Sequence, residues 1–219
     1  MSINIWDIQL KIINISRSYL DRWVRLIKKH IEKLPPKYEY TRPMISFISE
    51  NFDKSNELVG LEIGVDRGDN AVYILSILPI KKLYLVDPYL EYKEFKNNTG
   101  WENLTQEKFD AYFKTAQKKA GYFKGKAEFI RKMSEDAADD IPDNLDFVYL
   151  DGNHEYEFVK RDIELYFPKI KRGGVLGGDN FDPIFPGVPR AVLEFTDKYH
   201  LKIHGGRSKL SYEWWVIKE

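Results

Sequence analysis

The feature that most constrains this chain is a recurring unit: a short apolar run that stops at a glycine or an acid, followed by a helix-forming segment. The runs are "ELVGLEIGV" (57–65), "KLYLVD" (82–87), "AEFIRK" (127–132), "LDFVYLD" (145–151) and "GGVLGGDN" (173–180). Between them lie "NAVYILSIL" (70–78), closed by Pro79, and a polar, aromatic-rich insert over about 90–125. That insert carries "TQEKFDAYFKTAQKKAGYF", with Thr105 placed to cap a helix. Then come the short acidic "SEDAADDI", "EYEFVKRDIELYFPKI" with Pro168 near its end, and "VPRAVLEFTDKYH". "LKIHGG" and "SYEWWVIKE" read as two closing strands. Near-continuous apolar strands alternating with helices predict an α/β domain, a mostly parallel sheet covered on both faces.

Ahead of this pattern, Ile5, Ile8, Ile12, Ile15, Leu20, Trp23, Leu26, Ile27 and Ile31 recur at near-helical spacing until "LPP" stops them at Pro35. This segment reads as an amphipathic helix packing on the domain or on a second copy of the chain; a membrane-surface or lid helix is the alternative. The expected organisation is therefore an N-terminal helical extension, 1–45, and one α/β domain, 46–219. There is no internal repeat and no interdomain linker. The formal net charge is zero, so a whole-surface attraction to nucleic acid or acidic lipid is not expected. The absence of cysteine rules out disulfides, thiolate zinc sites and cysteine nucleophiles. No stretch reaches the ~20 apolar residues of a membrane helix, and the first twenty residues lack the basic-then-apolar order of a secretory signal. A cytoplasmic protein is the expectation.

In open parallel sheets ligands bind beyond the C-terminal strand ends, where strand order reverses. The first such end, "LEIGVDRGDNA", holds Glu62, Gly64 and Gly68 as acid-x-Gly-x-x-x-Gly. Glycines there let the backbone turn tightly and approach a ligand. The segment is neither a Walker A loop nor a G-x-G-x-x-G fingerprint. The second strand ends in Asp87, a carboxylate placed to accept from two ribose hydroxyls. The third ends near Met133 and Ser134: a polarizable face for a flat base and a hydroxyl for a ring nitrogen. Each feature alone is compatible with a plain turn or helix cap; together at three successive strand ends they favour a nucleoside ligand. Here the sequence resembles the class I S-adenosylmethionine (SAM)-dependent methyltransferases, over about residues 57–219. The resemblance implies a doubly wound, Rossmann-like sheet of seven strands with the last strand, from Tyr212, antiparallel. It also implies Glu62, Gly64 and Gly68 on the methionine side of the cofactor, Asp87 on its ribose and Ser134 by its adenine.

The fourth and fifth strands end in Asp151 and in Asp179–Asn180. In the resembled fold these strands are neighbours, which brings three hard oxygen donors to one rim, a set suited to Mg²⁺ or Mn²⁺. A cation there would relieve carboxylate repulsion and lower the pKa of a bound hydroxyl. His154, three residues past Asp151, is the candidate general base. The pattern resembles the metal-dependent O-methyltransferases, with Asp151, Asp179 and Asn180 as metal ligands. Catechol O-methyltransferase and its relatives carry a lysine where this chain has His154. "D-G-x-H-x-Y", with Asp151, Gly152, His154 and Tyr156, resembles the macrocin-type enzymes, which methylate sugar hydroxyls. The implied activity is SAM-dependent, metal-assisted O-methylation of a sugar-containing small molecule or glycan. A catechol-like phenol as acceptor and a non-catalytic binding protein are the alternatives; an NAD-dependent oxidoreductase is disfavoured by the missing fingerprint. A homodimer through the N-terminal helix is a further expectation.

Of the remaining aromatics and histidines, His30, His200 and His204 read as structural or exposed. Trp214 and Trp215 face opposite sides of the last strand, with one expected in the core. Trp101, Tyr112 and Phe113 either anchor the insert or line an acceptor pocket. "YEYTRP" (38–43) is either a plain connector or a segment that closes over the cofactor.

Overall fold

The computed structural model describes residues 42–91, 104–207 and 212–219. The predicted helix of 5–34, its proposed dimer role, His30 and Trp101 lie outside these residues. Seven strands form one sheet: β1 (Leu58–Ile63), β2 (Ile80–Val86), β3 (Ala127–Ile130), β4 (Leu145–Leu150), β5 (Ile170–Gly178), β6 (His204–Arg207) and β7 (Tyr212–Ile217). Their order is β3-β2-β1-β4-β5-β7-β6. The pairs β1–β2, β1–β4, β2–β3 and β4–β5 are parallel, and β7 is antiparallel to both β5 and β6. This is the doubly wound, Rossmann-like arrangement expected from the alternation, with strand order reversing between β1 and β4.

Helices cover both faces: α1 (Pro43–Asn51), α2 (Asp69–Ile77), α3 (Gln106–Ala120), the four-residue α4 (Ser134–Ala137), α5 (Tyr156–Tyr166) and α6 (Gly187–Tyr199). Two apolar clusters result, one on each face. Val148, Leu176, Tyr166, Val192 and Trp214 belong to one, and Ile45, Ile74, Phe147, Tyr149 and Trp215 to the other. Because the sheet is covered twice, both tryptophans are buried, and the expectation that only one would be core is corrected.

The sequence reading did not foresee α1. Pro43 opens it at the first turn, where a missing N–H costs nothing, and Met44, Ile45 and Ile48 are fully buried. The helix straddles the 45/46 boundary drawn from sequence. Strand limits differ from the reading by up to three residues, as at Ile170, where β5 begins before its glycines. Thr105 is the N-cap of α3, but its hydroxyl makes no cap hydrogen bond to the backbone. Helix α5 begins at Tyr156, so His154 sits in the loop after β4 rather than one helical turn along.

Candidate functional site

The site grows from the strand ends at the point of reversal. Strand β1 ends in Glu62-Ile63-Gly64, and Gly64 has φ +83°, a conformation that side chains rarely adopt. A Cβ on Gly64 would lie 2.0 Å from the Asp151 carbonyl oxygen. The first loop therefore touches the end of β4 backbone to backbone. Gly68 also has positive φ, at the start of α2, and a Cβ there would press on Ala116 of α3 at 3.1 Å.

Asp87 braces this loop. Val65 and Asp66 N–H groups donate to its Oδ2 at 2.9 and 3.1 Å, and Tyr89 N–H donates to Oδ1 at 2.8 Å. Burial raises its pKa, against the pull of those three bonds. Tyr89 closes the ring by donating its hydroxyl to the Asp66 carbonyl at 2.9 Å. Glu62, 1% exposed, accepts from Asn70 Nδ2 at 2.9 Å through Oε1, while its Oε2 has no hydrogen-bond partner. Burial pushes its carboxyl up to about 8. A buried carboxylate with an unused acceptor is costly unless a ligand completes it.

Deeper along the same wall, Ser134 Oγ donates to Asp162 Oδ1 at 2.5 Å, and Tyr166 donates its hydroxyl to the Ser134 carbonyl. Asp162 is 4% exposed, and burial pushes it up to about 7.

On the β4 side, His154 Nε2 stands 3.4 Å from Asp151 Oδ1, and the His154 ring lies 4.5 Å from Phe185. His154 Nδ1 is buried without a partner. Asp151 is raised by burial, an effect that the His154 contact opposes. A single cleft of about 240 Å³ is lined by Glu62, Gly64, Asp87, Met133, Ser134, Asp151 and His154, together with Arg42, Asn70, Asp162 and Phe185. Seven of the sequence-predicted residues thus face one space. Gly68 shapes the wall from behind.

Asp179 and Asn180 do not line that cleft. Asp179 Oδ2 is held by Arg42 Nη1 at 2.6 Å, and Asp179 Oδ1 accepts from the Asn180 N–H at 2.8 Å. Arg42 Nη1 also reaches the Tyr149 hydroxyl at 3.1 Å and Glu213 Oε1 at 3.4 Å. Glu213 in turn accepts from Tyr149 at 2.8 Å and from the Met44 N–H at 2.9 Å. Burial works against the Arg42 charge, but Tyr149, Asp179, Asp151 and Glu213 outweigh it and raise its pKa. Among the described residues, no three His, Cys, Asp or Glu side chains are placed to hold a metal ion. The expected donor set of Asp151, Asp179 and Asn180 does not fit a divalent cation as folded, because a guanidinium already neutralises Asp179.

Arg42, Asn70, Asp162 and Glu213 are the site residues that sequence reasoning missed. Asp162 and Glu213 did leave a signal: each is a charge set among buried positions, Asp162 with Val159, Ile163 and Tyr166, and Glu213 beside Trp214. Of the aromatics weighed as anchors or pocket lining, Phe113 packs on Tyr89 and Phe129 at 4.9 and 5.6 Å, whereas Tyr112 lines the cleft.

A family model described as a methyltransferase domain matches residues 61–181, more than half of the chain. The chain belongs to that methyltransferase-domain family. A curated relative, an uncharacterized protein of Acanthamoeba polyphaga mimivirus, is 26% identical over 161 residues. The match covers 67% of this chain and 64% of the relative, so this chain spans under two thirds of that relative's length. Among solved structures, an O-methyltransferase from Bacillus cereus in complex with S-adenosylhomocysteine (SAH) superposes with a TM-score of 0.57 at 13% identity, covering 95% of this chain and 94% of that one. An rRNA methylase from Streptococcus thermophilus gives 0.56 at 16% identity, covering 82% and 98%. These likenesses establish the class I methyltransferase fold and leave the acceptor open. Among the described residues, no helix is long and apolar enough to cross a membrane.

Proposed function

We propose that this protein is a SAM-dependent O-methyltransferase that methylates a hydroxyl of a sugar-containing small molecule or glycan. The observation that carries the reading is one cleft holding two complementary halves. One half has a glycine loop pressed against β4, the unused Glu62 Oε2 and the Ser134–Asp162 pair. The other has the Asp151–His154 pair. Bound SAM supplies a methyl group on a sulfonium leaving group. Its fit rests on this chain's own atoms: Glu62 Oε2 is placed to accept from a cationic amine, Asp87 keeps acceptor capacity for ribose, and Met133 offers a face for the base.

His154, which shares the cleft with Asp151, would take the proton from the acceptor hydroxyl as the methyl–oxygen bond forms and the methyl–sulfur bond breaks, leaving SAH. Asp151 stabilises the resulting imidazolium across the 3.4 Å gap, a separation typical of unliganded catalytic pairs that tighten on binding. Phe185, which packs on the His154 ring, flanks this end of the cleft and provides a ring against which a sugar face can pack. The zero net charge supports a small-molecule or glycan acceptor over nucleic acid.

The test is calorimetric titration of the purified chain with SAH, with NAD⁺ as the control ligand. Micromolar-range binding of SAH and none of NAD⁺ supports the reading and licenses a screen of hydroxylated acceptors. Absence of SAH binding refutes it.

A further inference from the structure

We infer that Arg42 is the resident cation of this site: its guanidinium takes the place beside Asp179 and Asp151 that a divalent metal would need, and the protein binds no such metal there. The inference concerns the same site as the function proposed above, but it rests on the charge arrangement and not on the cofactor.

Three observations converge. Arg42 Nη1 lies 2.6 Å from Asp179 Oδ2 and 3.4 Å from Glu213 Oε1, so one nitrogen bridges a carboxylate just past β5 and one on β7. Asp179 has its other oxygen on the Asn180 N–H, so both of its oxygens are already engaged in hydrogen bonds. Arg42 faces the cleft while Asp179 and Asn180 stand behind it. A divalent ion needs several oxygens converging at about 2.0–2.6 Å, and a guanidinium in hydrogen-bond contact with one of them repels the ion at close range.

The fold makes this seat firm. Pro43 and the buried Met44 and Ile45 fix the helix that begins just after Arg42, and the Met44 N–H donates to Glu213, the same carboxylate that Arg42 touches. The side chains of Arg42 and Glu213 are 14% and 0% exposed, so the contact is largely withdrawn from water and weakly screened. A fixed positive charge at the cleft wall near Asp151 also favours the negative charge that develops on an acceptor oxygen during its deprotonation.

The experiment is a Mn²⁺ titration of the full chain followed by electron paramagnetic resonance, on wild type, Arg42→Ala, Arg42→Lys and the double variant Arg42→Ala/Asp179→Asn. Wild type is expected to take up no Mn²⁺ tighter than ~1 mM. Arg42→Ala removes the guanidinium from Asp179 and is expected to bind one Mn²⁺ at least ~10-fold more tightly than wild type, a gain of ~1.4 kcal/mol that the double variant loses. Arg42→Lys keeps a cation and is expected to behave as wild type. One tight Mn²⁺ in wild type overturns the inference, and that arm stands even if Arg42→Ala does not fold. Equal Mn²⁺ affinity in folded Arg42→Ala and wild type also overturns it. SAH titration of the wild-type preparation separates the two questions: absence of SAH binding there would count against the proposed function and leave the Mn²⁺ result to judge Arg42.

Discussion

The two walls of the cleft are held in different ways. On the β1–β2 wall, polar groups facing the ligand space find partners nearby in the chain. Glu62 is bonded to Asn70, eight residues on, and Asp87 to Val65 and Asp66, some twenty residues back. On the β4–β5 wall, Arg42 reaches Asp179 across 137 residues and Glu213 across 171. The first wall is a loop folded on its own strand ends, with backbone N–H groups doing much of the holding. The second exists only after the sheet has assembled and α1 has docked across it. Loop walls of the first kind are set by backbone geometry and are sensitive to any added atom. Side-chain networks of the second kind tolerate conservative exchange but fail when one charge is left alone.

The sharpest way to break the comparison is to exchange residues on one wall and read the effect on both ligands. His154→Ala should lower turnover by ~10²–10⁴-fold, once an acceptor is in hand, while SAH affinity stays within about twofold. Steady-state rates beside SAH calorimetry check this, and a parallel loss of SAH binding would mean that His154 holds the cofactor wall. Gly64→Ala should remove both. Its Cβ would sit 2.0 Å from the Asp151 carbonyl at a φ of +83°, so a loss of ~2–4 kcal/mol in stability and of measurable SAH binding is expected. Thermal melts and calorimetry would report it; wild-type SAH affinity in that variant would show that the loop does not press on β4.

Glu62→Gln keeps the shape and removes the carboxyl that can ionise against a cationic amine. SAH should bind ~10–100-fold more weakly, the ~1.5–3 kcal/mol of a charged hydrogen bond, while the unliganded melting temperature holds or rises because a buried acid has gone. The pH profile sharpens the same point. Glu62 and Asp162 keep their protons to about 8 and about 7 in the folded chain, against ordinary values of 4.5 and 3.8. Between those limits the folded state holds more protons than the unfolded one, so stability contributed by these groups is greatest below the window and falls as pH rises through it. Unliganded protein should therefore melt at progressively lower temperature from about pH 5 to pH 8. That slope should flatten in Glu62→Gln and Asp162→Asn, and an unchanged slope in both would count against buried, protonated acids on this wall.

The smallest expected effect on cofactor binding lies across the cleft. Asp179→Asn should leave SAH affinity within about twofold and lower stability only modestly, because Glu213 still partners Arg42. A large loss of SAH binding there would merge the two walls into one.

The same contrast explains what the sequence made legible. Strand–helix alternation and the residues closing each apolar run were enough to place Glu62, Gly64, Asp87, Ser134 and Asp151 at one sheet edge, because strand ends converge by topology alone. The Arg42–Asp179–Glu213 network was not legible. The reading of "YEYTRP" as connector or closing segment does not single out Arg42, and its partners come from just past β5 and from β7. Asp179 and Asn180 do occupy the expected strand end, but the residue that contacts Asp179 comes from outside the pattern. Helix α1 lay unread because its three buried side chains are too few to outweigh the polar segments around them, although Pro43 marked its start. Asp162 was readable in principle, since an acid on the buried stripe of an otherwise amphipathic helix calls for a buried partner, here Ser134.

The most direct test of this two-walled account is a crystal structure grown with SAH and Mn²⁺, read with anomalous data at the manganese edge. The account predicts SAH along the first wall, its amino group on Glu62 Oε2 and its ribose at Asp87, with Arg42 still on Asp179 and no manganese between Asp179 and Asp151. A manganese ion bound by Asp151 and Asp179, with Arg42 displaced, would contradict the account of the second wall, and SAH bound away from Glu62 and Asp87 would contradict that of the first.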